Sequence, residues 1–134
     1  METEEKVQEK KTEPSLVDIL SNFPDAPVAE QIDEWKKAYG EIFCSGFTNT
    51  ELFIWRTITR KEYVALQVKL SQTENVSQST VEEEMTNLCT LWGSPGGLEA
   101  LDKKAGTLST LHEQIMQNSN FVNPAMASAL VIKL

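Results

Sequence analysis

The chain has 134 residues, 40% of them hydrophobic and 24% charged, enough for one domain to bury a core without disulfide or metal staples. Its net charge of −8 at pH 7 argues against nucleic-acid or anionic-membrane binding, because such binders need basic faces that displace counterions from phosphates. Arg56, Arg60 and Lys61 offer a local basic patch, but a small one.

Residues 1–13 hold glutamates and lysines with Val7 as the one aliphatic side chain. Such a segment cannot offset its ordering entropy by burial and reads as a disordered acidic tail. Residues 14–30 follow as a short helix and a Pro-containing linker. Leu16, Ile19, Leu20 and Phe23 have helical spacing, Pro14 and Ser15 are start signals, and Pro24 and Pro27 are stops. That helix is expected to pack on its own domain or on a partner.

Residues 31–134 are expected to form a single domain, mainly helical, of the α+β class. Ile32, Trp35 and Tyr39 share one helix face, and Gly40 stands just past the end. The stretches EIFCSGF and ELFIWRTI, joined by TNT, predict one antiparallel hairpin over about 41–58. Strict alternation gives its second strand two apolar faces, Leu52/Ile54/Ile58 and Phe53/Trp55. The surplus face must be covered by the N-terminal segment, the C-terminal tail or a partner.

At Thr59 the period changes to a helical one. Thr59 and Glu62 form a capping box, and Tyr63, Leu66 and Leu70 give a stripe that fades near Gln72. A polar loop, TENVSQS, precedes a helix capped by Ser79 with Glu82 or Thr80 with Glu83. Its expected stripe is Val81, Met85, Leu88, Cys89 and Trp92, ended by a turn at WGSPGG. Leu98, Leu101, Ala105, Leu108, Leu111 and Ile115 continue a helical period from residue 97 to about 117. Gly106 lies inside it, marking a close helix contact or a break between two helices. The chain closes on an apolar end, Leu130, Val131, Ile132 and Leu134, expected to pack on the body or on another chain.

Catalytic chemistry has little to draw on. His112 is the one histidine and reads as a partly exposed helix residue. Glu82, Glu83 and Glu84 read as first-turn carboxylates favoured by the helix macrodipole. Cys44 and Cys89 have no metal-ligand spacing and apolar neighbours, so they read as buried free thiols in a reducing compartment. The charged start lacks a signal peptide's apolar stretch, and no apolar run approaches the ~18 residues that span a bilayer, so a cytoplasmic protein without membrane contact is expected. No cofactor or metal is expected. Arg56 sits among Phe53, Ile54, Trp55 and Ile58, and its expected partner is Glu62 or Glu41, or else an acidic residue of a docking protein.

The order of several short motifs is suggestive: Trp35-Lys36-x-x-Tyr39-Gly40, Phe53-Ile54-Trp55-Arg56, Ile58-Thr59-Arg60-Lys61-Glu62-Tyr63, an acidic helix start leading to Leu88-Cys89, then Ala105-Gly106, Leu111, Ile115 and Ser119-Asn120-Phe121. Over about residues 32–122 this resembles the small tail-assembly and baseplate-hub proteins of large T-even-like bacteriophages. The chain departs from that pattern at LWGSPGG, where an apolar–Pro element is expected. The resemblance implies a non-enzymatic protein-binding factor, chaperone-like, in tail or baseplate-hub assembly. It implies tape-measure and hub proteins as partners, with an oligomer as a further form, and the cytoplasm of the infected host or the virion as location. A permanent structural subunit of the particle and an unrelated regulatory interaction module are the alternatives. The expected docking residues are Phe53, Trp55, Arg56, Arg60, Leu130, Ile132 and Leu134.

Overall fold

A computed structural model describes residues 16–121 and 132–134. The elements run α1 (Leu16–Leu20), α2 (Ala29–Tyr39), β1 (Ile42–Thr48), β2 (Glu51–Arg56), α3 (Arg60–Ser71), α4 (Gln78–Cys89), β3 (Thr90–Gly93), α5 (Pro95–Lys103) and α6 (Thr107–Asn118). The fold is α+β and mainly helical. The tail over 1–13 lies outside the described residues.

The expected hairpin is present over Ile42–Arg56, and a third strand extends it to an antiparallel sheet of order β1-β2-β3. β2 is therefore central, which is why every residue from Glu51 to Arg56 is buried. On one face, Phe53 and Trp55 join Ile58, Leu66, Leu70, Met85, Cys89, Leu111 and Ile115 in the core. Full burial of each large apolar side chain there contributes about 1.5–3 kcal/mol.

The N-terminal segment covers the other face, that of Leu52, Ile54 and Arg56. α1 and α2 pack against β1. Phe23 meets Trp92 edge-on at 6.1 Å, and Trp92 pairs with Ile54 across the sheet. Tyr39 stacks on the Arg56 guanidinium at 4.4 Å. The surplus apolar face of the hairpin is thus covered from within the chain. Gly40, at φ 88°, turns the chain from α2 into β1, a backbone region that a side chain would strain.

β3 replaces the last turn expected of the helix before it. Helical spacing extends to Trp92, but the helix ends at Cys89, and Thr90–Gly93 takes up strand pairing with β2 instead. The WGSPGG stretch is also corrected, since Ser94 caps α5 and Pro95 opens it, the arrangement Pro favours at a first helical position. The Ser94 hydroxyl accepts from Gly97 N at 3.1 Å and from Leu52 N at 2.9 Å, and donates to Thr50 O at 2.7 Å. One buried hydroxyl therefore ties a helix start to the β1–β2 turn.

Two further helix boundaries are defined, and only the second differs from expectation. Gly106 separates α5 from α6, which settles the choice left open at that glycine. The cap of α4 is Ser77, which accepts from Thr80 N. Starting at Gln78 places Glu82–Glu84 beyond the first turn, so the macrodipole does not account for them. Glu82 instead accepts from Ser109 Oγ at 2.9 Å, and Glu84 pairs with Lys69 at 3.0 Å. The Thr59–Glu62 capping box is present as expected.

Candidate functional site

The expected docking residues do not form one surface. Phe53 and Trp55 are 0% and 3% exposed. Trp55 stacks on Phe43 at 4.6 Å, and its Nε1 donates to Ser45 Oγ at 2.7 Å, which in turn donates to Gln114 Oε1 at 2.6 Å. Buried indoles find such a partner because an unbonded N–H is costly there. Both residues belong to the body of the fold and are corrected as contact residues.

Arg56 is corrected likewise. Its two terminal nitrogens donate to the two carboxylate oxygens of Glu62, each at 2.8 Å, with weaker bonds to the carbonyls of Thr57 and Leu88. The Arg56 side chain is 6% exposed and Glu62 30%, while Nε has no partner among the described residues. The guanidinium, with the Thr59 amide, holds the Glu62 carboxyl down at about 2. Glu62 thus serves two functions, capping α3 and neutralising the arginine. The charge among aromatics is answered internally, by Glu62 and not Glu41.

Arg60, at the first position of α3, is exposed. Ile132 and Leu134 are exposed too, so the expectation that the apolar end packs on the body fails at those residues. Leu130 lies outside the described residues.

His112 lies where the sequence did not place it, whereas Cys89 is the buried free thiol expected and Cys44 is only partly buried. His112 is 8% exposed and thus buried instead of partly exposed, with Nε2 unpartnered among the described residues; burial pushes its pKa down against the opposing pull of Glu82 and Glu113. Burial pushes the Cys89 thiol up to about 11, so it packs as a neutral apolar group.

Exposed apolar side chains include Val64 and Val68 on α3 and Leu88 on α4, alongside Val28, Tyr39, Leu98 and Phe121 elsewhere. Val64 and Val68 stand one turn apart, 42% and 53% exposed, on the side of α3 opposite buried Leu66 and Leu70. Between the helices runs a groove of about 270 Å³, lined by Ala65, Leu66 and Leu88 and edged by Glu62, Lys69 and Glu84. The Lys69–Glu84 pair bridges it at the surface, a contact worth under about 1 kcal/mol. α3 carries apolar side chains nearly all round, a signal in the sequence that one stripe lacks an internal partner.

A second concavity, about 400 Å³, lies where the β1–β2 turn meets the start of α6. Phe47, Thr48, Glu51, Lys104, Gly106, Thr107 and Thr110 line it. Glu51 is buried, accepting from Thr48 Oγ1 at 2.8 Å and from Lys104 Nζ at 2.9 and 3.0 Å. Those partners hold its carboxyl below the usual range.

Among the described residues, no group of three or more metal-ligating side chains comes together, and no helix is long and apolar enough to cross a membrane. No protein-family model, curated protein or solved structure shows a significant match to the chain.

Proposed function

We propose that this protein is a non-enzymatic protein-binding factor in the assembly of a phage tail or baseplate hub. The carrying observation is the α3–α4 groove lined by Ala65, Leu66 and exposed Leu88, on a helix that also exposes Val64 and Val68 on its other side. Exposed apolar surface is costly to leave in water, and where it gathers it marks interaction sites. The order of motifs from Trp35 to Phe121 supplies the class of partner. An apolar floor between two helices, with Lys69 on one rim and Glu84 on the other, suits an amphipathic helix of a tape-measure or hub protein, laid in by its apolar face. The exposed Ile132 and Leu134 add a second apolar contact.

Co-expression with the hub and tape-measure proteins, followed by affinity capture, tests this reading. The expected result is capture by the natural chain and loss with Val68→Asp plus Leu88→Asp, at unchanged fold. A monomer that captures neither protein refutes it. Mass spectrometry of purified particles then separates a transient factor, which is absent from them, from a permanent subunit.

A further inference from the structure

The groove between α3 and α4 has walls of opposite charge. α3 exposes Arg60, Lys61 and Lys69, and its one acid, Glu62, is held by Arg56. α4 carries Glu82, Glu83 and Glu84 and no cation. Arg56 bonds both Glu62, at the start of α3, and the carbonyl of Leu88, at the end of α4, so the two helices run antiparallel. The Lys69–Glu84 pair at 3.0 Å puts those two residues at one level. One turn on along α4, Leu88 is therefore level with Ala65, one turn back along α3. All four residues line the groove, and Leu88 is 40% exposed.

A surface with this layout is complementary to itself. Rotating a second copy by half a turn about an axis along the groove lays its α3 on the first copy's α4, and its α4 on the first copy's α3, at unchanged level along the helices. Each Leu88 then meets the small Ala65 side chain of the other copy. Each Lys69 meets Glu84 of the other copy, with exposed Glu83 beside it. The alternative two-fold, across the helices, lays α3 on α3 and α4 on α4 and sets like charges together, which is disfavoured. One symmetry operation thus satisfies both the large-on-small contact and the charge pairing.

We propose that the α3–α4 surface pairs with a second copy of this chain, giving a two-fold dimer in which two helices from each copy enclose the groove. The pairing uses the groove of the assembly reading but does not rest on that reading; a partner helix entering the groove displaces the second copy. Two 12-residue helices, each about 18 Å long and about 8–10 Å apart, offer a face that buries on the order of 1,000 Å² in the pair, the low end for specific interfaces. A dissociation constant on the order of tens of micromolar is therefore expected. The net charge of −8 per copy does not prevent association at physiological salt, where exposed charges beyond about 8 Å are largely screened.

The test is sedimentation equilibrium of the full chain, from micromolar to millimolar concentration at physiological salt, with circular dichroism to check that each variant is folded. The chain is assayed alone, so failure of this pairing is separate from failure to capture hub or tape-measure proteins. Reversible dimerisation is expected. Lys69→Glu, and separately Glu83→Lys with Glu84→Lys, should each weaken it at least about tenfold, since each sets like charges across both contacts. An equimolar mixture of the two variants should form a heterodimer within about threefold of the natural affinity, because every reversed helix then faces the opposite charge. A merely intrachain role for the Lys69–Glu84 pair does not produce that recovery. Ala65→Leu should weaken dimerisation about tenfold by filling the position that Leu88 enters. A chain monomeric at millimolar concentration, a dimer unaffected by Lys69→Glu and Ala65→Leu in folded proteins, or a mixture that stays monomeric would overturn the proposal.

Discussion

Replacing Glu62 with alanine tests the central electrostatic arrangement of the fold. The substitution strips two 2.8 Å hydrogen bonds from a guanidinium whose side chain is 6% exposed. What remains for Arg56 is the face of Tyr39 and the carbonyls of Thr57 and Leu88. Breaking a buried pair from one side costs about 3–5 kcal/mol, and the 30% exposure of Glu62 places this case at the lower end. The same change removes the bond from Thr59 N at 3.1 Å, and a lost cap adds about 1 kcal/mol. Proton linkage gives a similar size. A carboxyl held at about 2 against an ordinary 4.5 contributes about 3 kcal/mol at neutral pH. Because the folded-state pKa is depressed, that contribution is fully present above about pH 4.5 and is lost as pH falls towards 2. Urea unfolding followed by circular dichroism should therefore show a deficit of about 3–4 kcal/mol at pH 7, shrinking by roughly half at pH 3. Arg56→Met should cost less, about 1–2 kcal/mol, because the carboxylate it strands can reach water. The double variant should recover about 2 kcal/mol relative to the summed singles. Additive singles, or a Glu62→Ala deficit under 1 kcal/mol at pH 7, would refute the reasoning.

Ser94→Ala should destabilise by about 2–3 kcal/mol, because it strands the buried amides of Leu52 and Gly97 together; chemical denaturation reads this directly. Gly96→Ala should cost about 1–3 kcal/mol or more, since a Cβ there would stand 2.5 Å from Thr50 O. Gly106→Ala is the matched control: its Cβ meets nothing within 4 Å and φ is −93°, so thermal melting should show no loss, or a gain of about 0.4–1 kcal/mol. His112 should make stability fall with acidification before Glu62 does. Burial lowers its folded-state pKa, so the unfolded chain takes the proton first and stability drops as pH falls below about 6.5. His112→Gln should flatten that part of the pH–stability curve while leaving the drop below pH 4.5 in place.

The parts of the fold that were legible in the sequence are those whose chemistry is local. The capping box at Thr59 and Glu62 needs two side chains three residues apart, and the glycine that ends α2 needs one. The β1–β2 hairpin announced itself by aromatic and β-branched density, and the burial of both its faces by the absence of a polar alternation. The features that escaped depend on distant partners. Thr90–Gly93 is a strand because Ile54 and Phe53 offer a free edge, while its own residues continue the helical spacing of α4 through Trp92. Ser94 followed by Pro95 was a readable helix start, obscured by the glycines after them. Those glycines serve packing: α5 lies so close to the β1–β2 turn that position 96 cannot hold a side chain without displacing Thr50.

The misplaced docking residues follow from the same distinction. Alternation along β2 shows that two faces are apolar, but it carries no information on which neighbour covers them. Once β3 and the N-terminal helices are in place, the strand is enclosed and its aromatics become structural. Exposed apolar side chains are found on α3 instead. Its inward stripe, Leu66 and Leu70, is satisfied by the core, while Val64 and Val68 point the other way. An aliphatic pair at that position contributes nothing to the core and would be replaceable by polar residues at little cost in stability. That separability makes the α3 surface testable by substitution, whereas changes at Phe53, Trp55 or Arg56 would confound binding with folding.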